Sequence, residues 1–335
     1  MTGGAGPLVI SLGDPAGVGP EITAKAYAAL RAEGPRFMVV GDHDLLSASA
    51  RGMPVRRVST PEEASRVFAD ALPVLDLPLR ASVVVAHGSP DHAEAVIRWI
   101  ETAVGLALTG DVGGVVTCPI SKAMLYEAGF AHPGHTEFIA ELARDGAPRR
   151  PVMMMASPKL RVSLVTIHQA LRDVPEAITF ERVFQTVRTT ADALESDFGI
   201  PNPRIALAGL NPHAGEAGAL GREEHEVINP AARRLRAALY DVSDAQSADT
   251  LFGEDARQRY DAVVAMYHDQ ALIPLKTLDF WGGVNVTLGL PLVRTSPDHG
   301  VGYGIAGRGI ARPDSLIAAI RLAAEIAERR AAARR

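Results

Sequence analysis

The sequence of 335 residues is poor in several features that whole classes of protein depend on. Its single cysteine, Cys118, has no partner for an internal disulfide, so the fold must rest on a buried core. A net charge of −5 lacks the positive excess of a general nucleic-acid binder. No apolar run reaches the roughly 18 residues that a membrane span needs. The opening residues, Met1 to Gly6, carry neither the basic nor the apolar region of a signal peptide, so the reducing cytoplasm is the expected location. Lysine is also scarce. Only Lys25, Lys122, Lys159 and Lys276 stand among 34 basic residues. Genome base content explains such a bias, yet it draws attention to the positions where a compact, titratable amine has been kept.

What is present describes a globular protein. The chain is 47% hydrophobic and 22% charged, which excludes disorder, collagen and small disulfide scaffolds. Its length suits about two domains that bury about three quarters of the unfolded surface. Short Val- and Ile-rich runs alternate with helical patterns, the signature of βα units and a largely parallel sheet. Strands are expected at 8–12, 37–40, 82–86, 113–117, 152–155, 162–166, 205–208, 263–266 and 284–288. Helices are expected at 20–30, 92–108, 137–143, 181–194, 223–239 and 315–332.

Five segments carry chemistry. Gly13-Asp14-Pro15-Ala16-Gly17-Val18-Gly19-Pro20-Glu21 joins a buried strand to a helix, where a ligand could approach backbone amides; a plain strand-to-helix turn is the other reading. Without a following Gly-Lys-Ser/Thr it is no P-loop. Gly302-Tyr303-Gly304-Ile305-Ala306-Gly307 spells G-x-G-x-x-G, but too few residues follow it for a dinucleotide-binding βαβ unit. His168, His213 and His268 each close an apolar run, at the strand ends where open α/β sheets bind ligands. Three imidazoles there could hold one divalent ion with positions left open, or serve as hydrogen-bonded structural residues. Pro133-Gly134-His135-Thr136-Glu137 reads as a helix start with Thr136 near the cap, suited to phosphate or simply a glycine-rich cap. Lys276, Asn285 and Arg294, on a stretch read as short strands and turns, offer donors for phosphate or carboxylate. Asp269, beside His268, could orient an imidazole or take a proton, as could Lys276 if neighbouring cations depress its pKa.

Together with Gly209-Leu210-Asn211-Pro212-His213-Ala214-Gly215-Glu216, Tyr267-His268-Asp269-Gln270 and Asn285-Val286-Thr287-Leu288-Gly289-Leu290-Pro291, these motifs resemble the 4-hydroxythreonine-4-phosphate dehydrogenase family of vitamin B6 synthesis. The likeness spans residues 8 to about 325. It implies an α/β, two-lobed fold like that of isocitrate and isopropylmalate dehydrogenases, with a largely parallel sheet and an interlobe cleft. The implied lobes are 1–130 plus 297–335 on the dinucleotide side, and 131–296 for metal, substrate and dimerisation. The resemblance assigns a divalent metal (zinc, cobalt or magnesium) to His168, His213 and His268, and the phosphorylated substrate to His135, Thr136, Lys276, Asn285 and Arg294. It assigns the adenosine end of NAD, or of NADP, to the loop carrying Asp298, His299, Gly300, Gly302 and Gly307. A homodimer with the active site near its interface is implied, with no nucleic-acid or membrane partner. The implied reaction is NAD-dependent oxidation of 4-phosphooxy-L-threonine to a β-keto acid that decarboxylates to 3-amino-2-oxopropyl phosphate.

The chain departs from the family pattern at three places. Val301 stands where Thr or Ser is usual, Gly304 where Asp is usual, and Ser121 where Asn is common. Loss of the acidic side chain at 304 would weaken NAD binding or relax discrimination against NADP. Sister enzymes acting on 4-phospho-threonate, 4-phospho-erythronate or a dihydrodiol tend to carry Gly-His after His-Asp-Gln, whereas this chain carries Ala271-Leu272. A metal-dependent phosphate-ester hydrolase or phosphoacyl transferase would use the same histidines without a dinucleotide, and a binding protein without activity finds no encouragement, since every implied ligand is present. Dependence on added NAD separates the dehydrogenases from both.

Overall fold

The computed structural model describes residues 6–132, 134–144 and 150–335. Pro133 and most of the N-terminal stretch read for a leader lie outside the described residues. Contacts divide the chain into two compact units, Met1–Pro151 with Leu290–Arg335, and Val152–Gly289. The expected boundaries at 130 and 297 both fall inside the first unit. Helix His135–Leu142 packs against helix Ala93–Thr109, and the strand starting at Arg294 pairs with Val115, so both segments belong there.

The first unit holds β1 (Leu8–Ser11), β2 (Phe37–Gly41), β3 (Val55–Arg57), β4 (Leu72–Asp76), β5 (Val115–Thr117) and the last strand of the chain, β12 (Arg294–Pro297). They lie in the order β3-β4-β2-β1-β5-β12, and every pairing is parallel. β1, β2 and β5 are buried throughout, as strands covered on both faces must be. The covering helices include Gly19–Leu30, Ala93–Thr109 and Asp314–Ala333. Trp99 anchors the second of them, fully buried with its indole N–H donated to the Leu77 carbonyl at 2.8 Å. β2 flanks β1 on one side and β5 on the other, so the chain reverses its direction of growth at β1. Ligands of such sheets bind beyond the carboxyl ends of the strands at that reversal.

Residues 82–86 do not form the expected strand. β4, which precedes it in sequence, is paired on both sides by β3 and β2, and the valine run joins no strand. It becomes a loop with Val84 61% and Val85 47% exposed, tied down where Ala86 N–H donates to the Ala16 carbonyl.

The second unit holds β6 (Val152–Ser157), β7 (Leu160–Leu164), β8 (Arg204–Ala208), β9 (Asp241–Gln246), β10 (Ala262–Ala265) and β11 (Val284–Leu288), in the order β11-β6-β7-β10-β8-β9. β6 runs antiparallel to β11 and to β7, which it reaches through a two-residue turn at Pro158-Lys159. The other pairs are parallel. Met155, Val162, Leu164, Val263, Ala265 and Leu275 belong to one buried cluster. Helix Phe180–Ser196 is capped by Thr179, whose hydroxyl accepts the Arg182 N–H, and buries Val183, Val187, Thr190 and Leu194 at helical spacing.

Two expectations in this unit change. The helix expected over 223–239 begins with a π turn at Glu224–Ile228 and is α-helical only over Asn229–Ala237. Pro230 brings no N–H and crowds the carbonyl four residues back, so the chain widens there. Lys276 lies on a helix, His268–Leu278, and not among short strands and turns.

Candidate functional site

In the first unit, cations gather at the start of helix His135–Leu142. The cap is Gly134, in extended conformation, and Thr136 sits second in the helix instead of at the cap. A side chain at 134 would place its Cβ 3.0 Å from Lys122 Nζ, so the ammonium lies directly against the cap. Arg294 is buried, and its Nη2 donates to Thr117 Oγ1 at 2.8 Å. Burial pushes the guanidinium down to about 10, opposed by the Glu137 carboxylate. His135 is held well below the usual histidine range, first by burial and then by the Arg294 and Lys122 charges. Its Nε2 is buried and has no hydrogen-bond partner among the described residues. Free amides at a helix start, two cations and an imidazole whose proton has been driven off form a place that an anion would complete.

The loops beyond the carboxyl ends of β1 and β12 are tied together. Gly13 adopts φ +77°, and a Cβ there would lie 2.5 Å from the Pro119 carbonyl, so only glycine fits. The amides that follow are not free for a ligand, as the strand-to-helix segment had suggested. Ala16 N–H donates to Asp14 Oδ1 at 2.9 Å, Gly17 N–H to the Asp14 carbonyl, and Val18 N–H to the Val301 carbonyl. Asp14 Oδ2 accepts the Tyr303 hydroxyl at 2.6 Å, and Tyr303 is pushed up to about 12, mainly by burial and also by this bond. Glu21 accepts the N–H groups of Gly309 and Ala311, and Lys25 donates to the carbonyls of the same two residues. The first glycine-rich segment therefore serves as a clamp on residues 301–311. In that loop His299, Gly300 and Gly307 are exposed, Asp298 and Gly302 half-buried, and Asp298 N–H donates to Ser315 Oγ.

In the second unit, the adjacent strands β7, β10 and β8 each deliver a histidine at their carboxyl ends: His168, His268 and His213. The rings of His168 and His268 lie 5.8 Å apart between centroids. His268 Nδ1 is hydrogen-bonded to Asp269 Oδ1 at 2.7 Å, which fixes the ring. Gln270 joins two strand ends, its Oε1 accepting Met266 N–H and its Nε2 donating to the Gly209 carbonyl, both at 2.7 Å. His213 stands apart on a turn whose residues 213–217 all have positive φ. It lies near Asp249, whose carboxyl is held below the usual range by the Ser247 hydroxyl first and by His213 second. No three His, Cys, Asp or Glu side chains among the described residues are grouped closely enough to hold a metal ion. The expected three-histidine centre is thus not assembled within one chain, although the paired imidazoles and their carboxylate suit two positions of one. A cavity of about 430 Å³ is lined by His168, Tyr267, His268 and Asp269, and a second of about 440 Å³ by Asp249, Tyr267, Asp269 and Gln270. Lys276 Nζ stands 5.6 Å over the Phe280 ring, and Asn285, on β11, has a buried Oδ1 with no partner among the described residues.

Residues 33–323 match the family model described as pyridoxal phosphate biosynthetic protein PdxA. The chain belongs to this family. It is 62% identical over 327 residues to a 4-hydroxythreonine-4-phosphate dehydrogenase of Caulobacter vibrioides, covering 97% of this chain and 98% of the relative. A Maricaulis maris enzyme of the same name is 53% identical over 335 residues, covering 97% and 98%. The crystal structure of the Klebsiella pneumoniae 4-hydroxythreonine-4-phosphate dehydrogenase superposes with a TM-score of 0.86 at 37% identity, covering 97% of this chain and 98% of that one. The family is one of dehydrogenases in pyridoxine synthesis, and the mostly parallel α/β fold agrees with it. Lys122, Thr117 and Asp249 stand at the sites described above without having been singled out for a role from sequence. The scarcity of lysine was the one signal available for Lys122.

Proposed function

We propose that the chain oxidises 4-phosphooxy-L-threonine with NAD(P), giving 2-amino-3-oxo-4-(phosphooxy)butanoate, which loses carbon dioxide to give 3-amino-2-oxopropyl phosphate. The observation that carries this reading is the cationic pocket at the start of helix His135–Leu142, where Arg294, Lys122 and uncharged His135 stand ready for an anion. The phosphate is remote from the reacting carbon, so these residues with Thr136 orient the substrate more than they activate it. Lys276 and Asn285 are further substrate contacts in this reading.

Asp269 holds the His268 ring, and Asp269 or Lys276 takes the proton of the reacting hydroxyl. His168, His268 and His213 are the donors to a divalent ion in this reading. A homodimer with the site near its interface belongs to the same reading. When bound, the nicotinamide accepts the hydride and the ion, as a Lewis acid, polarises the substrate oxygen. Asp298, His299, Gly300, Gly302 and Gly307 hold the adenosine end of the dinucleotide. No described helix is long and apolar enough to cross a membrane, and the cytoplasm is the proposed location.

The test is dinucleotide reduction by purified, metal-loaded protein offered 4-phosphooxy-L-threonine, 4-phospho-threonate and 4-phospho-erythronate separately. Reduction with the amino acid alone, abolished by a chelator and restored by zinc, cobalt or magnesium, is expected. Turnover of the threonate alone would move the chain to the sister enzymes, and phosphate release without dinucleotide would make it a hydrolase.

A further inference from the structure

The clamped loop carries two features that the proposed reaction leaves unused. One is apolar. Ile305 and Ile310 are 39% and 57% exposed, and the exposed Val85 packs its Cγ1 where a Cβ on Gly307 would stand, 2.7 Å away, with Val84 beside it. A valine run that failed to become a strand thus lies against the glycine-rich loop as an uncovered hydrophobic rim.

The other feature is charge. Arg308 Nη1 donates to the Gly304 carbonyl at 3.3 Å, and the Arg51 guanidinium occupies the space where a Cβ on Gly309 would stand. Nearby cations are already matched: Lys25 pairs with Glu21 and Arg312 with Asp314. Arg51 and Arg308, both exposed, pair with no carboxylate among the described residues. Gly304 has open space where a side chain would project, so no acidic group offsets them there. A ribose with a free 2′-hydroxyl calls for an acidic partner, whereas a 2′-phosphate calls for arginine.

We propose that Arg51 and Arg308 receive the 2′-phosphate of NADP while the Val84, Val85, Ile305 and Ile310 rim receives the adenine, so that the chain selects NADP over NAD. This rests on the reading of the chain as a nicotinamide-dependent dehydrogenase. The experiment is calorimetric titration of the full-length protein with NADP, NAD, adenosine 2′,5′-bisphosphate and adenosine 3′,5′-bisphosphate, repeated on Arg308→Ala, Arg51→Ala and Gly304→Asp. NADP should bind at least about tenfold tighter than NAD, the scale of a charge-assisted phosphate contact. Either arginine variant should remove most of that preference while leaving NAD affinity within about twofold, which also reports that the variant is folded. Gly304→Asp should invert the preference. Equal or tighter binding of NAD, an equal loss of both dinucleotides in Arg308→Ala, or equal binding of the two bisphosphates would overturn the assignment while leaving the dehydrogenase reading in place. Binding of no dinucleotide and neither bisphosphate would overturn both.

Discussion

His135 makes the stability of the protein depend on pH in a way that can be isolated. In the folded chain its Nε2 is buried without a partner among the described residues and its pKa lies well below 6.5, because of burial first and the Arg294 and Lys122 charges second. In the unfolded chain the ring titrates near about 6.5. As pH falls below that value, the unfolded state takes up a proton that the folded state refuses, so stability is full above the unfolded pKa and declines beneath it. Between pH 7.5 and 5.5 one such group costs up to about 1.4 kcal/mol. Replacing it by asparagine removes that term alone, so wild type minus His135→Asn, measured by denaturant unfolding, should change by that amount over the interval. Saturating inorganic phosphate should flatten the wild-type curve, since an anion beside the ring favours its protonated form. Parallel pH profiles for the two proteins, or an NMR titration of the His135 ring centred near 6.5, would refute the reasoning.

Other substitutions test the remaining geometry. Lys122→Met should raise KM for the phosphorylated substrate roughly tenfold or more with a smaller change in kcat, since the lysine meets the remote phosphate; an unchanged KM would remove it from the site. Tyr303→Phe deletes the bond to Asp14 and should cost about 1–2 kcal/mol in chemical unfolding while speeding protease cleavage within residues 300–311. Gln270→Ala leaves Met266 N–H and the Gly209 carbonyl without their partner and should cost about 2–4 kcal/mol, with a loss of affinity for added zinc read by competition with a chromogenic chelator. Gly215→Ala forces a side chain into φ +81° with its Cβ 2.7 Å from Glu224 Oε2, and should lower the melting temperature by several degrees.

The parallel architecture was legible because strands such as Leu8–Ser11 and Ala262–Ala265 are continuous apolar runs, and only a doubly covered sheet asks for those. The same rule misled at 82–86, since a valine run by itself carries no sign of whether a strand will pair with it. β3 and β9 were missed because their residues, Val55-Arg56-Arg57 and Asp241–Gln246, are edge strands with polar sequence. The strand-end histidines stood out from sequence, as each follows its apolar run directly. Their spacing carried no sign that His213 would sit on a left-handed turn, whose start is held by Asn211 contacts to Glu223 and Glu224, more than ten residues away. Lys122 was hidden for a similar reason: only the fold brings it to Gly134.

That left-handed turn has a kinetic consequence. His213, Ala214, Glu216 and Ala217 each occupy a backbone region that costs an L-residue roughly 1–2 kcal/mol, and the four together approach the net stability of a whole domain. The segment persists because neighbours hold it: Asn211 gives its amide to both glutamates, and Gly209 N–H reaches the Gln246 carbonyl. Such a segment opens on its own long before the sheet beneath it does. Its amide protons should exchange with solvent orders of magnitude faster than those of β8, a few residues upstream. A ligand that gathers His213 into a completed centre would appear in that experiment as a slowing centred on residues 211–221, together with a rise in the global unfolding temperature.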